Sequence, residues 1–149
     1  AKSGVSCADC HMPFMREKGK KYTSHWVSSP LKYAKEACSP CHDQSTDWLI
    51  ARVKSTQDSA WQLQHRAGTV VARAHEAIGR TEASGRYDRG ELEKARQLVR
   101  KAQWYWDFVA AENSMGFHNP VQTLATLGQS IDMAYEAILA ANKAAGSRR

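Results

Sequence analysis

The pattern of apolar and polar residues changes character near residue 45 of the chain. After that point apolar residues recur every three or four positions almost throughout, which is typical of amphipathic helices. The predicted helices run from about Thr46 to Gly79, from about Glu91 to Asn113, and from Pro120 onwards. Pro120 suits the first turn of a helix, where its missing N–H has no partner to lose. Thr81 to Gly90 is predicted to be the turn between the first two helices.

Each predicted helix has an apolar stripe that we interpret as its inner face. On the first helix the stripe comprises Leu49, Val53, Trp61, Ala67, Val71, Ala74 and Ile78. On the second it comprises Leu92, Ala95, Leu98, Val99, Ala102, Trp106 and Val109. On the third it comprises Leu124, Leu127, Ile131, Ala134, Ile138 and Ala141, with the alternating spacing of a coiled coil. The stripes can pack within one chain or, because the first helix would be ~50 Å long, partly against a second copy.

The first 45 residues follow a different pattern. They contain all four cysteines, three of the four prolines and few periodic apolar residues. Such a segment cannot build an ordinary core from its own side chains, so something else must fill its interior. The expected fold is therefore mainly α, with a segment 1–45 of little regular structure followed by about three long helices in a region 46–149.

Charge and hydropathy argue against two classes, nucleic-acid-binding proteins and membrane-spanning proteins. The net charge is +6 and the pI about 9.3, but most positive charges alternate with acidic or apolar residues along the predicted helices. This indicates a solvated basic surface or a docking face for an acidic partner rather than a nucleic-acid site. No apolar run approaches the ~20 residues that cross a bilayer, so the chain is not expected to span a membrane.

The cysteines lie in two motifs, Cys-Ala-Asp-Cys-His at 7–11 and Cys-Ser-Pro-Cys-His at 38–42. Disulfides would give no reason for the histidine after each pair. A zinc ribbon typically has a spacer of roughly 15–20 residues between its pairs, whereas 27 residues, 11–37, separate them here. Covalent haem c explains every residue, since two thiols add to the porphyrin and the adjacent histidine faces the iron. The predicted cofactors are two haem c groups, attached through Cys7, Cys10, Cys38 and Cys41, with His11 and His42 as proximal ligands.

The ligand opposite the proximal histidine determines what each haem can do. A second histidine closes that position and is typical of electron transfer, whereas an open position lets the iron bind small ligands. His118, in the turn Gly-Phe-His-Asn-Pro, and His25, between the two motifs, are the candidate distal ligands. His65 and His75 lie within the first predicted helix among polar residues. They are more typical of solvent-facing or hydrogen-bonded helix side chains.

Five stretches in this order carry a family resemblance: 7–13 (Cys-Ala-Asp-Cys-His-Met-Pro), 21–25 (Lys-Tyr-Thr-Ser-His), 38–42, 102–107 (Ala-Gln-Trp-Tyr-Trp-Asp) and 116–120 (Gly-Phe-His-Asn-Pro). Over essentially all 149 residues the chain resembles the C-terminal part of the pentahaem ammonia-forming cytochrome c nitrite reductases. The resemblance implies a periplasmic homodimer, joined through long C-terminal helices, with five haems per subunit. The family reduces nitrite to ammonium with six electrons.

The resemblance also implies roles for individual residues. The site of Cys7, Cys10 and His11 resembles the attachment site of the family's fourth haem, with His118 as distal ligand. The site of Cys38, Cys41 and His42 resembles that of the fifth haem, whose distal histidine would fall just before Ala1. His25 resembles the residue that reaches across to the second haem.

One departure bears on function. The family attaches its catalytic haem through Cys-x-x-Cys-Lys, and no such motif occurs in this sequence, so no catalytic residue is assigned. The expected function is an electron-transfer segment that relays electrons toward a catalytic haem outside this chain. Its expected partners are the remainder of the reductase or another multihaem cytochrome, a second copy, and a redox donor protein. The alternatives are a free-standing dihaem carrier or filament module, and a half-open second haem that binds small ligands weakly.

Overall fold

The computed structural model describes residues 4–146. In chain order the elements are α1 (Cys7–His11), β1 (Phe14–Glu17), β2 (Lys20–Thr23), a 3₁₀ turn (Pro30–Tyr33), α2 (Ala34–Cys38), α3 (Thr46–Ala83), α4 (Arg89–Ala110) and α5 (Pro120–Gly146). The expectation of a mainly α chain with three long helices is confirmed. The described residues form two compact units, one ending at Ser55 and the other starting at Thr56.

The first unit is built from short elements. The residue pattern did not predict its antiparallel hairpin, in which β1 pairs with β2 and Glu17 lies opposite Lys20. Lys18 and Gly19 connect the strands and both have positive φ, 48° and 79°. This is the backbone twist that a two-residue hairpin loop requires, and glycine adopts it without strain.

The first unit buries few aliphatic side chains of its own. Among its described residues these are Pro13, Ala34, Ala37 and Leu49. Phe14, Trp26 and Val27 are exposed instead, Trp26 by 74%. Apolar side chains that stay in water contribute nothing to a core, so the described side chains do little to stabilise this unit by themselves.

The second unit is a bundle of three helices with a continuous core. Its main cluster joins α3, α4 and α5 and includes the fully buried residues Ala74, Leu92, Ala95, Ala102, Ala134, Ala137, Ala141 and Ala144. A smaller cluster contains Ala67, Val109 and Leu127. Alanine dominates these contacts, so the helices approach closely, and two polar bonds reinforce them. Ser130 Oγ donates to Ala102 O at 2.7 Å, and Thr81 Oγ1 donates to Ala141 O at 3.2 Å.

The predicted stripes identify the buried faces only in part. The second helix agrees well, since Leu92, Ala95, Val99, Ala102 and Val109 are buried. On α3, Trp61 is 54% exposed and Ala60 is buried in its place. On α5 the buried positions are mostly alanine, serine and threonine, while Leu124 is exposed. Side-chain size was a poor predictor of burial on α5, where Leu127 is buried but Leu124 is not, because small side chains permit the closest helix contacts.

Helix ends also differ from the predicted ones. α3 continues to Ala83, since the buried Thr81 hydroxyl fastens the last turn to α5. α4 begins at Arg89 because Asp88 caps it, its Oδ1 accepting from Glu91 N at 2.8 Å. None of the helices in the described part of the chain is long and apolar enough to cross a membrane.

Candidate haem-attachment sites and histidine ligands

The first motif coincides with the single-turn helix α1. Ser6 N and Ser6 Oγ both donate to Asp9 Oδ2 at 2.7 Å, which fixes the start of the turn. Cys7 and Cys10 are three residues apart and His11 is four from Cys7, so the helical turn brings their side chains to one side. Cys7 is exposed and Cys10 is partly exposed. The local sequence therefore presents two accessible thiols and a histidine together.

The second motif overlaps the end of α2. Its first cysteine, Cys38, ends the helix, and the backbone N–H groups of Cys41 and His42 both donate to Cys38 O at 3.1 Å. This turn repeats the relation between cysteines and histidine seen in α1. Cys38 is partly exposed and Cys41 exposed. Both motifs thus place two thiols and a histidine within one backbone turn.

The two motifs lie next to each other within the first unit. Helix α1 packs against α2. Burial raises the pKa of the Cys10 thiol, and neighbouring charges, including those of Asp9 and Cys41, raise it further. Burial also raises the pKa of Cys38, with a contribution from Cys10. Thiols of the two motifs are therefore close enough to interact electrostatically, and all four cysteines are free rather than joined as disulfides.

The ring of His11 is held by the backbone. His11 Nδ1 lies 2.8 Å from Ser28 O. A carbonyl oxygen can only accept, so the nitrogen must carry the proton, and Nε2 is then the ring nitrogen with a lone pair for a metal. Ser28 could not be identified from the sequence, because a backbone acceptor can come from any residue type and leaves no pattern.

The other two candidate ligands have the same tautomer. His25 Nδ1 lies 2.9 Å from Thr23 O at the end of the hairpin, and the side chain is exposed. In the second unit, His118 Nδ1 lies 3.2 Å from Glu112 Oε1. An acceptor-only oxygen faces Nδ1 in each case, which again assigns the coordinating lone pair to Nε2.

His65 and His75 lie along a groove between α3 and α4 that also includes Gly68, Gln103 and Trp106. His75 Nε2 is 2.9 Å from Gln103 Oε1, and the ring of His65 stacks on that of Trp61 with centroids 5.4 Å apart. Both histidines are exposed. Within residues 4–146, no three or more His, Cys, Asp or Glu side chains are grouped so as to hold a metal ion.

Comparison with known proteins identifies relatives over more than nine-tenths of the chain. The cytochrome c552 family model matches residues 1–148. The cytochrome c nitrite reductase subunit NrfA of Nitratidesulfovibrio vulgaris is 44% identical over 143 residues, 91% of this chain and 27% of that protein. Cytochrome c-552 of Parabacteroides distasonis is 38% identical over 147 residues, 96% of this chain and 29% of that protein.

The fold agrees with these relatives. A solved structure of the catalytic subunit of cytochrome c nitrite reductase from Desulfovibrio desulfuricans matches with a TM-score of 0.88 and 42% identity. The match covers 96% of this chain and 31% of that one. The chain thus spans less than a third of the length of the relatives it matches. The family resemblance inferred from the motifs is confirmed, and the chain belongs to the cytochrome c552 family.

Proposed function

We propose that this chain carries two haem c groups and relays electrons within a periplasmic, ammonia-forming nitrite reductase, toward a catalytic haem that its own residues do not attach. The observation that carries the proposal is the pair of Cys-x-x-Cys-His turns, 7–11 and 38–42, on adjacent helices of one compact unit. The relatives named nitrite reductase support the assignment of the larger enzyme.

The residues present fit the cofactor. Membership of a cytochrome c family implies covalently attached haem c, and attachment needs reduced, accessible thiols in pairs beside a histidine. All four thiols are free, and Cys7 and Cys41 are exposed. The first unit has few buried aliphatic side chains, so a large apolar cofactor would supply the buried apolar surface that its own side chains lack. Bound haem supplies a one-electron couple between ferric and ferrous iron.

Residues of this chain would attach each haem and ligate its iron. Cys7, Cys10, Cys38 and Cys41 form the thioether links. His11 and His42 are the proximal ligands, and Ser28 O orients His11 through Nδ1. We assign His118 as the distal ligand at the first site and His25 as a ligand to a further haem. Both assignments are supported by an acceptor oxygen beside Nδ1, Glu112 Oε1 for His118 and Thr23 O for His25, which leaves the coordinating lone pair on Nε2.

The proposal extends to organisation and location. We assign residues 1–45 to haem binding and 46–149 to a long-helix region that pairs with a second copy. Exposed apolar side chains on α5, with Leu139 at 68% and Val121 at 80%, offer surface for such pairing. A redox donor protein would supply electrons to the haems. Attachment of haem to reduced cysteines takes place outside the cytoplasm, which favours the periplasm.

The test is a haem count combined with spectroscopy and turnover. The purified chain should contain two covalent haems. The first should have a low-spin spectrum, because its proposed distal ligand, His118, belongs to this chain, and Cys41→Ala should disrupt attachment at the second site only. Cys10→Ala is the matched control, since it should disrupt the first site only. Chemically reduced chain should give up its electrons to an oxidant without sustained formation of ammonium from nitrite.

Three outcomes would contradict parts of this proposal. Loss of both haems in Cys41→Ala would reject two independent sites. Sustained ammonium production by this chain alone would reject a relay role. A high-spin first haem that shifts on addition of imidazole or nitric oxide would reject His118 as its distal ligand and show an open iron site there.

A further inference from the structure

The carboxylate of Glu112 is surrounded by donors in the turn after α4. Its Oε1 accepts from Ser114 N at 2.8 Å and lies 3.2 Å from His118 Nδ1. Its Oε2 accepts from Ser114 Oγ at 2.8 Å and from Gly116 N at 2.9 Å. Both oxygens are thus held, and a carboxylate bound by several donors cannot rotate away without losing several bonds.

The turn around this carboxylate is itself fixed. His118 N donates to Ser114 Oγ at 2.9 Å, and Gln57 Nε2 on α3 donates to Ser114 O at 3.0 Å. Met115 and Gly116 both have positive φ, 53° and 84°. A non-glycine residue keeps that conformation only where its surroundings impose it. The turn therefore places Glu112 and His118 in one defined relation.

We propose that Glu112 is the positioning residue that holds His118 as an axial haem ligand. This inference rests on the ligand role proposed for His118. The carboxylate accepts the Nδ1–H, fixes the ring orientation and increases the electron density at Nε2.

The acceptor distinguishes His118 from His11 and His25. His11 and His25 face neutral backbone carbonyls through Nδ1, whereas His118 faces a carboxylate. A charged acceptor forms the stronger hydrogen bond and makes the imidazole a better donor to iron. Better donation stabilises ferric over ferrous iron, so Glu112 lowers the potential of the haem that His118 ligates.

A purely structural role is the competing explanation, since three of the four donors belong to the turn itself. The test is a redox titration of the haem-loaded protein carrying Glu112→Gln. Glutamine keeps the size and one acceptor oxygen but removes the charge. Glu136→Gln, an exposed position on α5, is the matched loss of one charge.

The potential of the first haem should rise in Glu112→Gln and stay unchanged in Glu136→Gln. Outer-shell partners change metal affinity by about tenfold or more. A tenfold loss of preference for ferric iron corresponds to an upward shift of about 59 mV for a one-electron couple. The low-spin electron paramagnetic resonance signal of that haem should shift as well, while the second haem keeps its potential.

A folded Glu112→Gln protein with an unchanged potential and unchanged resonance signal would overturn the proposal, even if its melting temperature fell. If that variant does not fold, Glu112→Asp keeps the charge but withdraws it by one methylene from His118. An unchanged potential there would also overturn it. His118→Met separates the two levels of inference. No change in the potential or spectrum of His118→Met would reject the ligand itself, whereas a change there with none in Glu112→Gln would reject only the role of Glu112.

Discussion

At the scale of single residues, both the backbone conformation and the surrounding space favour glycine at position 116. Its φ of +84° is a conformation that L side chains rarely adopt, and an added Cβ would lie 2.9 Å from Ala60 Cβ and 3.0 Å from Thr123 Cγ2. Backbone strain and overpacking therefore act together at this position.

We expect Gly116→Ala to lower the free energy of unfolding by about 2–4 kcal/mol, the sum of strain and overpacking. Chemical denaturation measures the loss. Gly85→Ala is the matched control, because Gly85 has a φ of +66° but nothing within 4 Å of the added Cβ. It should cost only the strain, about 1 kcal/mol. Equal losses in the two variants would show that Ala60 and Thr123 give way freely.

The sequence supports a residue-level prediction where covalent chemistry sets the spacing. Two thiols and a histidine within five residues form a local pattern, so the motifs at 7–11 and 38–42 are visible in the sequence itself. Ser28 and Glu112 are not visible in that way. The roles proposed for them depend on hydrogen bonds made by turns whose conformation the residue pattern does not specify.

At the scale of elements, the start of α4 shows how a cap sets a boundary. Asp88 has an extended backbone, and its Oδ1 accepts the N–H of Glu91 at 2.8 Å. Its own N–H donates to Ala144 O on α5 at 3.0 Å. The side chain begins the helix while the backbone fastens that beginning to the neighbouring helix.

We expect Asp88→Ala to destabilise the second unit by about 1 kcal/mol, since an uncapped N–H loses its partner. Thermal or denaturant unfolding followed by circular dichroism gives the value. Asp88→Asn keeps an acceptor oxygen and should stay close to the parent protein. Both variants retain the backbone bond to Ala144, so a large loss in Asp88→Asn would assign the effect to charge rather than to capping.

Helix existence was predictable because period and length are properties of the sequence, but the buried faces were less so. Trp61 lies on the predicted stripe and yet is exposed, while Ala60 beside it is buried. Side-chain size suggests the wrong residue here. Close helix packing selects the small side chain, and that selection depends on the neighbouring helices rather than on α3 alone.

At the scale of the whole molecule, the two units differ in what stabilises them. The second unit contains the continuous clusters around Leu92 and Leu127. The first unit's described residues include Ala34, Ala37 and Leu49 as buried aliphatic side chains. A cofactor that fills the first unit would stabilise it in the way that a core does, because buried apolar area contributes whichever molecule supplies it.

We therefore expect removal of the haems to destabilise the first unit and spare the second. In a variant with all four cysteines changed to alanine, amide protection in the first unit should fall by about a hundredfold or more, equivalent to about 3 kcal/mol. Protection in α4 and α5 should stay near that of the haem-loaded protein, because their core is made of side chains. Hydrogen exchange resolved by peptide separates the two units, and helical circular dichroism should persist with a cooperative melt. Equal loss of protection in both units would show instead that the two units unfold cooperatively. The difference between their cores would then not determine how the protein unfolds.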